Sequence, residues 1–443
     1  MRDLLFRDVR ILDPGTGRDE RGDVLVSRGR ISAIGRDVGK GLSGGDALEV
    51  IDGRGRWLVP GFVDLHAHLR EPGEEGKEDI ASGLRAAVAG GFVDVCAMAN
   101  TRPVNDSRAI TELMVARGRA AALARLHPIA AITRGLGGKD LTDVSELRDA
   151  GAIALSDDGR CVHLSSVMRR ALQYARTFDV PIIQHAEDHA LTEGAEMHEG
   201  AVATRLGLRG WPREAEDIIV ARDCIFAEEA RARYHVAHLS TRGAARIVAE
   251  AKSRGVAVTA EVTPHHLLLT HEAVVGYRTE CKVNPPLREA EDVAALRKAL
   301  ADGTIDAIAT DHAPHAKGDK DVEFAEARPG MIGLEICLPL LLGLVRDGSV
   351  PLMRLLSALT LGPARVVSLE PPRLVDGARA DLVLIDPEAR WTVARATLSS
   401  KSENTPFLGE ELQGAVEATI VEGRVVHRRD EGRVVHRREE ETS

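Results

Sequence analysis

The sequence predicts an α/β protein: a (β/α)8 TIM barrel with a small discontinuous β domain built from both termini. Three observations predict it. Between about residues 58 and 370, short apolar, often β-branched runs alternate with longer amphipathic segments, the pattern of repeated βα units around a parallel sheet. Both ends carry short alternating strands punctuated by Gly, Asp and Pro. A chain of 443 residues is too long for one small core and suits a large barrel with a smaller companion.

In chain order, residues 2 to 57 include strand patterns such as Asp23-Val24-Leu25-Val26. Eight barrel runs follow: Leu58 to Leu65, Phe92 to Met98, Leu126 to Ile132, Ala152 to Leu155, Val180 to Gln184, Tyr234 to Ala237, Val256 to Val262 and Ile305 to Ala309. Helices are predicted between them, among them Glu78 to Ala89, Leu141 to Asp149, Val167 to Thr177, Ala215 to Ala232, Ala244 to Ser253 and Ala290 to Leu300. After the barrel, Asp381-Leu382-Val383-Leu384-Ile385 resumes the strand pattern. Residues 1–57 and 372–443 are therefore read as one β-sandwich-like domain, leaving 58–371 for the barrel. Near the C-terminus, Glu-Gly-Arg-Val-Val-His-Arg-Arg at 422–429 repeats at 431–438, a duplication read as a hairpin partner or a loose tail.

The bulk properties exclude several function classes. No apolar run approaches the roughly 18 residues of a membrane span. A net charge of −10 argues against a nucleic-acid surface, which needs clustered positive charge. The N-terminus alternates charged and apolar residues without the apolar core of a secretory signal, which predicts a cytoplasmic protein. Five cysteines lie far apart with no Cys-x-x-Cys pair, so neither a disulfide framework nor a thiolate metal site is indicated.

The chemistry gathers where the predicted strands end, the rim at which barrels place their reactive groups. His66 and His68 close the first strand run, and a strand's period of two points them the same way, able to grip one metal ion. Asn100 follows strand two, Asp157 and Asp158 strand four, His185 strand five, His238 strand six and Asp311 strand eight. His235, three residues before His238, is read as facing the other side and as a packed or exposed histidine. Buried unpaired carboxylates cost several kcal/mol each, a cost that a divalent metal centre removes. Imidazole and carboxylate donors without thiolate suit Zn²⁺, with Mn²⁺ or Co²⁺ as substitutes.

The motifs Gly61-Phe62-Val63-Asp64-Leu65-His66-Ala67-His68-Leu69-Arg70-Glu71-Pro72-Gly73, Asn100-Thr101-Arg102-Pro103, Ser156-Asp157-Asp158-Gly159, Glu261-Val262-Thr263-Pro264-His265-His266, Lys282-Val283-Asn284-Pro285-Pro286-Leu287-Arg288 and Thr310-Asp311-His312-Ala313-Pro314-His315 are specific when taken together. On them the sequence resembles the dihydroorotases of the longer bacterial type, within the amidohydrolase superfamily. The resemblance implies two divalent ions, best matched by Zn²⁺. It places His66, His68 and Asp311 on one, His185 and His238 on the other, and Asp158 between them, with Asp157 as a neighbour. It also implies that Arg70, Asn100 and His315 hold a substrate carboxylate, that Asn284 meets the pyrimidine ring, and that Pro329 and Gly330 contact substrate through backbone. The expected reaction is reversible closure of N-carbamoyl-L-aspartate to L-dihydroorotate in pyrimidine biosynthesis, by metal-bound hydroxide with Asp311 as proton shuttle. A homodimer, and in some members association with aspartate transcarbamoylase, are implied as well.

Two departures from the family pattern stand out: Ala99 before Asn100, and Pro329 in place of a common aromatic. Neither removes a ligand. His265, His266 and His312 are read as supporting residues without a direct role, and the polar segment Lys317 to Arg328 as a lid over the mouth. Two rival readings are a dihydropyrimidinase or hydantoinase-like cyclic amidase, and a catalytically inactive scaffold for aspartate transcarbamoylase. The first rival uses a carboxylated lysine after strand four, where this chain has Ser156-Asp157-Asp158-Gly159, and Lys139 lies too far upstream. The second loses ligands that are all present here.

Overall fold

A computed structural model describes residues 2–430 and 433–435. Eight parallel strands form the barrel: Phe62–Ala67, Phe92–Ala97, Arg125–Ala130, Ala154–Leu155, Ile182–Gln184, Tyr234–Val236, Val258–Val262 and Ala307–Ile308, hydrogen-bonded to one another in chain order. Between the eighth and first strands the ladder shrinks to a bridge from Ala67 to His312, supported by His68 N donating to His312 O at 2.8 Å. Asp64 supplies the rest of this seam. Thr310 N donates to its Oδ1 at 2.9 Å and Thr310 Oγ1 lies 2.6 Å from Oδ2, so a side chain satisfies backbone that has no ladder partner. Burial pushes the Asp64 carboxyl up to about 7.

Helices Ile80–Ala89, Val144–Asp149, Ser165–Thr177, Glu214–Ala230, Arg242–Ser253 and Ala290–Asp302 lie where the sequence predicts, within a few residues. The first is fixed by a capping box: the Asp79 carboxylate accepts from Ser82 N while Asp79 N donates to Ser82 Oγ. Arg108–Ala121, after strand two, buries only Thr111, Met114 and Gly118, a stripe too narrow to stand out in the hydropathy pattern.

The two ends of the chain form a single sheet of nine strands. Its joint is Trp57–Pro60, which pairs in parallel with Arg10 and Ile11 on one edge and antiparallel with Leu382–Ile385 on the other. A strand paired on both edges makes one continuous sheet of the two termini. The predicted first barrel strand, Leu58 to Leu65, likewise spans two elements. It breaks at Gly61, where a Cβ would lie 2.5 Å from the Val93 methyls, and only glycine lets the chain pass that close while changing sheets. Of the C-terminal duplication, Arg433–Val435 pairs antiparallel with Arg424–Asp430, as a hairpin partner would; the rest of the second copy lies outside the described residues.

Barrel and sheet are also tied by Arg125. Its Nε and Nη2 donate to Asp94 at 2.8 and 2.7 Å, and its Nη1 and Nη2 to Asp381 at 3.1 and 2.8 Å. Burial would raise the Asp94 carboxyl, but hydrogen bonds from His127 and Arg125 carry it down to about 2. Arg125→Met leaves two buried carboxylates short of their main partner, and about 3 kcal/mol of stability is expected to be lost, read from the urea midpoint. Because the folded pKa of Asp94 is depressed, its stabilisation is present above the unfolded value of about 4 and disappears as pH falls towards 2. Stability of the variant should fall less steeply over that window.

Candidate metal centre

The strand-end residues converge. His66 Nε2 lies 3.3 Å from Asp158 Oδ2 and 3.5 Å from Asp311 Oδ1, and His68 Nε2 lies 3.5 and 3.1 Å from the same two oxygens. On the other side, His238 Nε2 and His185 Nδ1 stand 3.3 and 3.6 Å from Asp158 Oδ1 and 2.9 Å from each other. Asp158 thus turns one oxygen to each pair of imidazoles. All six groups are buried.

Three rings are oriented from behind. His66 Nδ1 pairs with Glu261 Oε1 at 2.8 Å, His68 Nδ1 with Asn100 Oδ1 at 3.0 Å, and His185 Nε2 with Glu187 Oε2 at 2.9 Å. Each partner is an acceptor, so the paired nitrogen carries a proton and the inward nitrogen is the one whose lone pair a metal would take, the arrangement that a metal-ligating histidine needs. His66 Nε2 is a buried nitrogen with no hydrogen-bond partner, which fits the role of a cation ligand. Two groups of donors, His66 with His68 and Asp311, and His66 with Asp158 and His238, are close enough to hold an ion.

The electrostatics follow from this crowding. Burial would raise Asp158, but the His66 charge and hydrogen bonds from His185 and His238 hold it well below the carboxylate range. Asp311 is likewise raised by burial and lowered further by His66 and His68. Burial lowers His66, yet Asp158 and Asp311 carry it well above its ordinary value. The carboxylates are therefore ionised and ready to receive a cation.

Asp157 takes a different part: it accepts from Thr133 N at 2.9 Å and from Thr133 Oγ1, and so pins the loop after strand three. His235 is packed, with Nδ1 2.8 Å from Thr259 Oγ1 and Nε2 3.1 Å from Glu261 Oε2. The expectation that it faces away from His238 is corrected. The strand ends at Val236, and His238, at φ 30°, has left the alternation; the His235 ring meets Glu261 and the His238 ring meets Asp158, two carboxylates that both contact His66.

The remaining site residues surround this cage. Arg70 Nε donates to Pro314 O at 3.1 Å, and its charge interacts with Asp311 and Asp158. His315 Nε2 pairs with Pro329 O at 2.9 Å, while its Nδ1 is buried without a hydrogen-bond partner; burial and the Arg70 charge lower its pKa to about 3. Gly330 has φ 130°, and a Cβ there would meet Ala313 Cβ at 2.7 Å. Asn284 Nδ2 donates to Glu187 Oε2 at 3.2 Å. His266 is held between Thr263 Oγ1 and Pro285 O, His312 accepts from Gly333 N, and burial lowers His265 to about 4. The segment after strand eight is fastened down. Lys320 Nζ donates to Thr279 O at 3.0 Å, and Lys282 Nζ to Phe324 O and Ala325 O at 2.7 Å.

A third donor group, His198, His271 and Glu289, lies apart from the cage. Arg288 Nη1 donates to His198 Nδ1 at 3.3 Å, which leaves the proton on His198 Nε2 and removes the lone pair a metal would take.

The family profile described as dihydro-orotase-like matches residues 55–244. A protein of Anaeromyxobacter dehalogenans strain 2CP-1 named dihydroorotase is 53% identical over 97% of this chain and 99% of its own length. One of Pelobacter propionicus with the same name is 51% identical over 96% of this chain and 100% of its own. The chain belongs to the dihydroorotase family. Among solved structures, an L-hydantoinase (dihydropyrimidinase) from Arthrobacter aurescens matches with TM-score 0.86 at 23% identity, covering 98% of both chains. A dihydropyrimidinase from Brevibacillus agri NCHU1002 matches with TM-score 0.82 at 23% identity, covering 98% of this chain and 96% of its own. That likeness establishes the barrel architecture and nothing finer.

Membership of the dihydroorotase family brings divalent-metal chemistry, a cyclic amide hydrolase activity and a small-molecule substrate. Sequence reasoning missed two carboxylates here, Glu261 and Glu187. Glu261 sits between Ala260 and Val262 on strand seven, where with Thr259 it alternates against Val258, Ala260 and Val262, a polar barrel face that period two could have revealed. Glu187 lies two residues beyond His185, a spacing that carries no signal once the strand has ended at Gln184.

Proposed function

We propose that the chain is a dihydroorotase, reversibly closing N-carbamoyl-L-aspartate to L-dihydroorotate. The observation that carries this reading is Asp158, one buried carboxylate with an oxygen towards each histidine pair, in the place where the hydantoinase reading needs a lysine. In this reading His66, His68 and Asp311 hold one divalent cation, His185 and His238 the second, and Asp158 both; nitrogen and oxygen donors alone favour Zn²⁺. Bound there, such ions lower the pKa of water and polarise the amide carbonyl.

The protein's own residues perform the rest. Asp311 takes the proton released as the water oxygen bonds to the carbonyl carbon, then gives it to the ring nitrogen as the carbon–nitrogen bond breaks. Arg70, whose planar guanidinium matches a carboxylate, anchors the substrate's acid group together with His315 and Asn100, and Asn284 with the Pro329–Gly330 backbone meets the ring. His68 is kept in register by Asn100, which connects the substrate side to the metal side. In the closing direction Asp311 removes the proton from the attacking nitrogen and returns it to the departing oxygen.

This reading keeps the barrel as the catalytic unit, with its start moved from residue 58 to Gly61, and the two termini as a supporting sheet. It includes a cytoplasmic homodimer. The five free, buried cysteines accord with a reducing compartment, and no helix among the described residues is long and apolar enough to cross a membrane. Association with aspartate transcarbamoylase would be an added property, tested by co-sedimentation. Rates on dihydroorotate, dihydrouracil and hydantoin, with metal analysis of the same sample, test the function. Turnover of dihydroorotate alone is expected, and equal rates on dihydrouracil would overturn the assignment.

A further inference from the structure

Glu187 divides its two oxygens between scaffold and site. Oε1 accepts from Thr192 Oγ1 at 2.5 Å and lies 3.2 Å from His189 Nδ1, which holds the carboxylate in place. Oε2 accepts from His185 Nε2 at 2.9 Å and from Asn284 Nδ2 at 3.2 Å. Asn284, 97 residues further along the chain, has an amide oxygen, Oδ1, that is buried without any hydrogen-bond partner. A carboxylate oxygen only accepts, so the amide beside it must show Glu187 its NH₂ and keep its oxygen for the other side. The usual ambiguity of an asparagine amide is removed by this neighbour.

We propose that Glu187 is a positioning residue that fixes the polarity of the Asn284 amide, so that the site accepts a cyclic substrate through a ring N–H and discriminates against a ring substituted at that nitrogen. The inference rests on the dihydroorotase reading of the site. The nitrogen at the breaking bond exchanges its proton with Asp311, so the N–H received by Asn284 is the other one, N1–H of dihydroorotate. One oxygen thereby sets the angle of a metal-side imidazole and the polarity of a substrate contact.

The test compares Glu187→Gln, Asn284→Ala and both together, with metal content measured on each. A glutamine whose NH₂ takes the place of Oε2 allows the Asn284 amide to flip, and it also removes the acceptor of His185 Nε2. For Glu187→Gln, KM for dihydroorotate is expected to rise about tenfold, with no further rise in KM in the Asn284→Ala background, while kcat falls through His185 to the same extent with and without Asn284. The pair Glu187→Gln with Asn284→Asp should recover most of the lost affinity, because a carboxylate in place of the amide has only acceptors to show the ring; a merely structural role for Glu187 would not be rescued this way. N1-methyl-dihydroorotate tests the same contact without altering Glu187: wild type should disfavour it at least tenfold in KM, and Asn284→Ala should not. An unchanged KM in Glu187→Gln, a rise in KM that persists without Asn284, or equal use of the N1-methyl substrate by wild type would overturn the proposal. Failure of wild type to turn over dihydroorotate at all would instead overturn the functional reading, and this inference with it.

Discussion

Asp311→Asn is expected to lower kcat on dihydroorotate by about a thousandfold while part of the bound metal remains. The loss is that of a positioned proton carrier, typically worth about 10² to 10⁴ in rate. Asp311 Oδ1 lies 3.1 Å from His68 Nε2 and 3.5 Å from His66 Nε2, and the residue is held at φ 45°, where the chain turns sharply off the eighth strand. Although burial works against ionisation, the His66 and His68 imidazoles outweigh it, so the carboxylate is free to accept a proton. An asparagine has nearly the same shape and still offers one carbonyl oxygen to a cation, but it can neither take up the water's proton nor pass it to the ring nitrogen. The His66–His68 pair and Asp158 stay in place, so metal analysis of the same sample separates loss of the shuttle from loss of the site. A variant that keeps its metal and most of its rate would remove Asp311 from the proton path.

How far the sequence reached depends on what kind of physics held each residue. His66 and His68 were legible because they sit inside a regular strand, where period two alone decides direction. The same rule failed for His235 and His238, since strand six stops at Val236 and the positive φ of His238 swings its ring back over the barrel. Gly61 was hidden for another reason: the apolar run from Trp57 to Leu65 is buried throughout its central part, and continuous burial leaves no periodicity to mark the change of sheet. Glu261 and Glu187 escaped because a residue that orients another residue's side chain can have its partner far away in sequence, His66 in one case and Asn284 in the other. The barrel itself was readable because its alternation of strand and helix repeats eight times, so that errors of a few residues at each boundary do not accumulate.

The neighbouring pair Asp157 and Asp158 gives the sharpest contrast available in the site. Both are buried aspartates in one loop, yet Asp157 spends both oxygens on Thr133, whereas Asp158 has His66 and His68 near Oδ2 and His185 and His238 near Oδ1. Asp158→Ala therefore removes the single group common to both halves of the cage and leaves four imidazoles without a shared carboxylate. Bound metal is expected to fall to a minor fraction of the wild-type content, and activity to fall with it to background. Asp157→Asn keeps the acceptor for Thr133 N and should retain metal and most activity, losing about 1–3 kcal/mol of stability as the second contact with Thr133 Oγ1 weakens. Metal content and unfolding midpoints of the two variants, measured side by side, decide the matter. Should Asp157→Asn empty the site while Asp158→Ala keeps it filled, the roles of the two aspartates would have to be exchanged, and the cage of two histidine pairs about one carboxylate would no longer describe the centre.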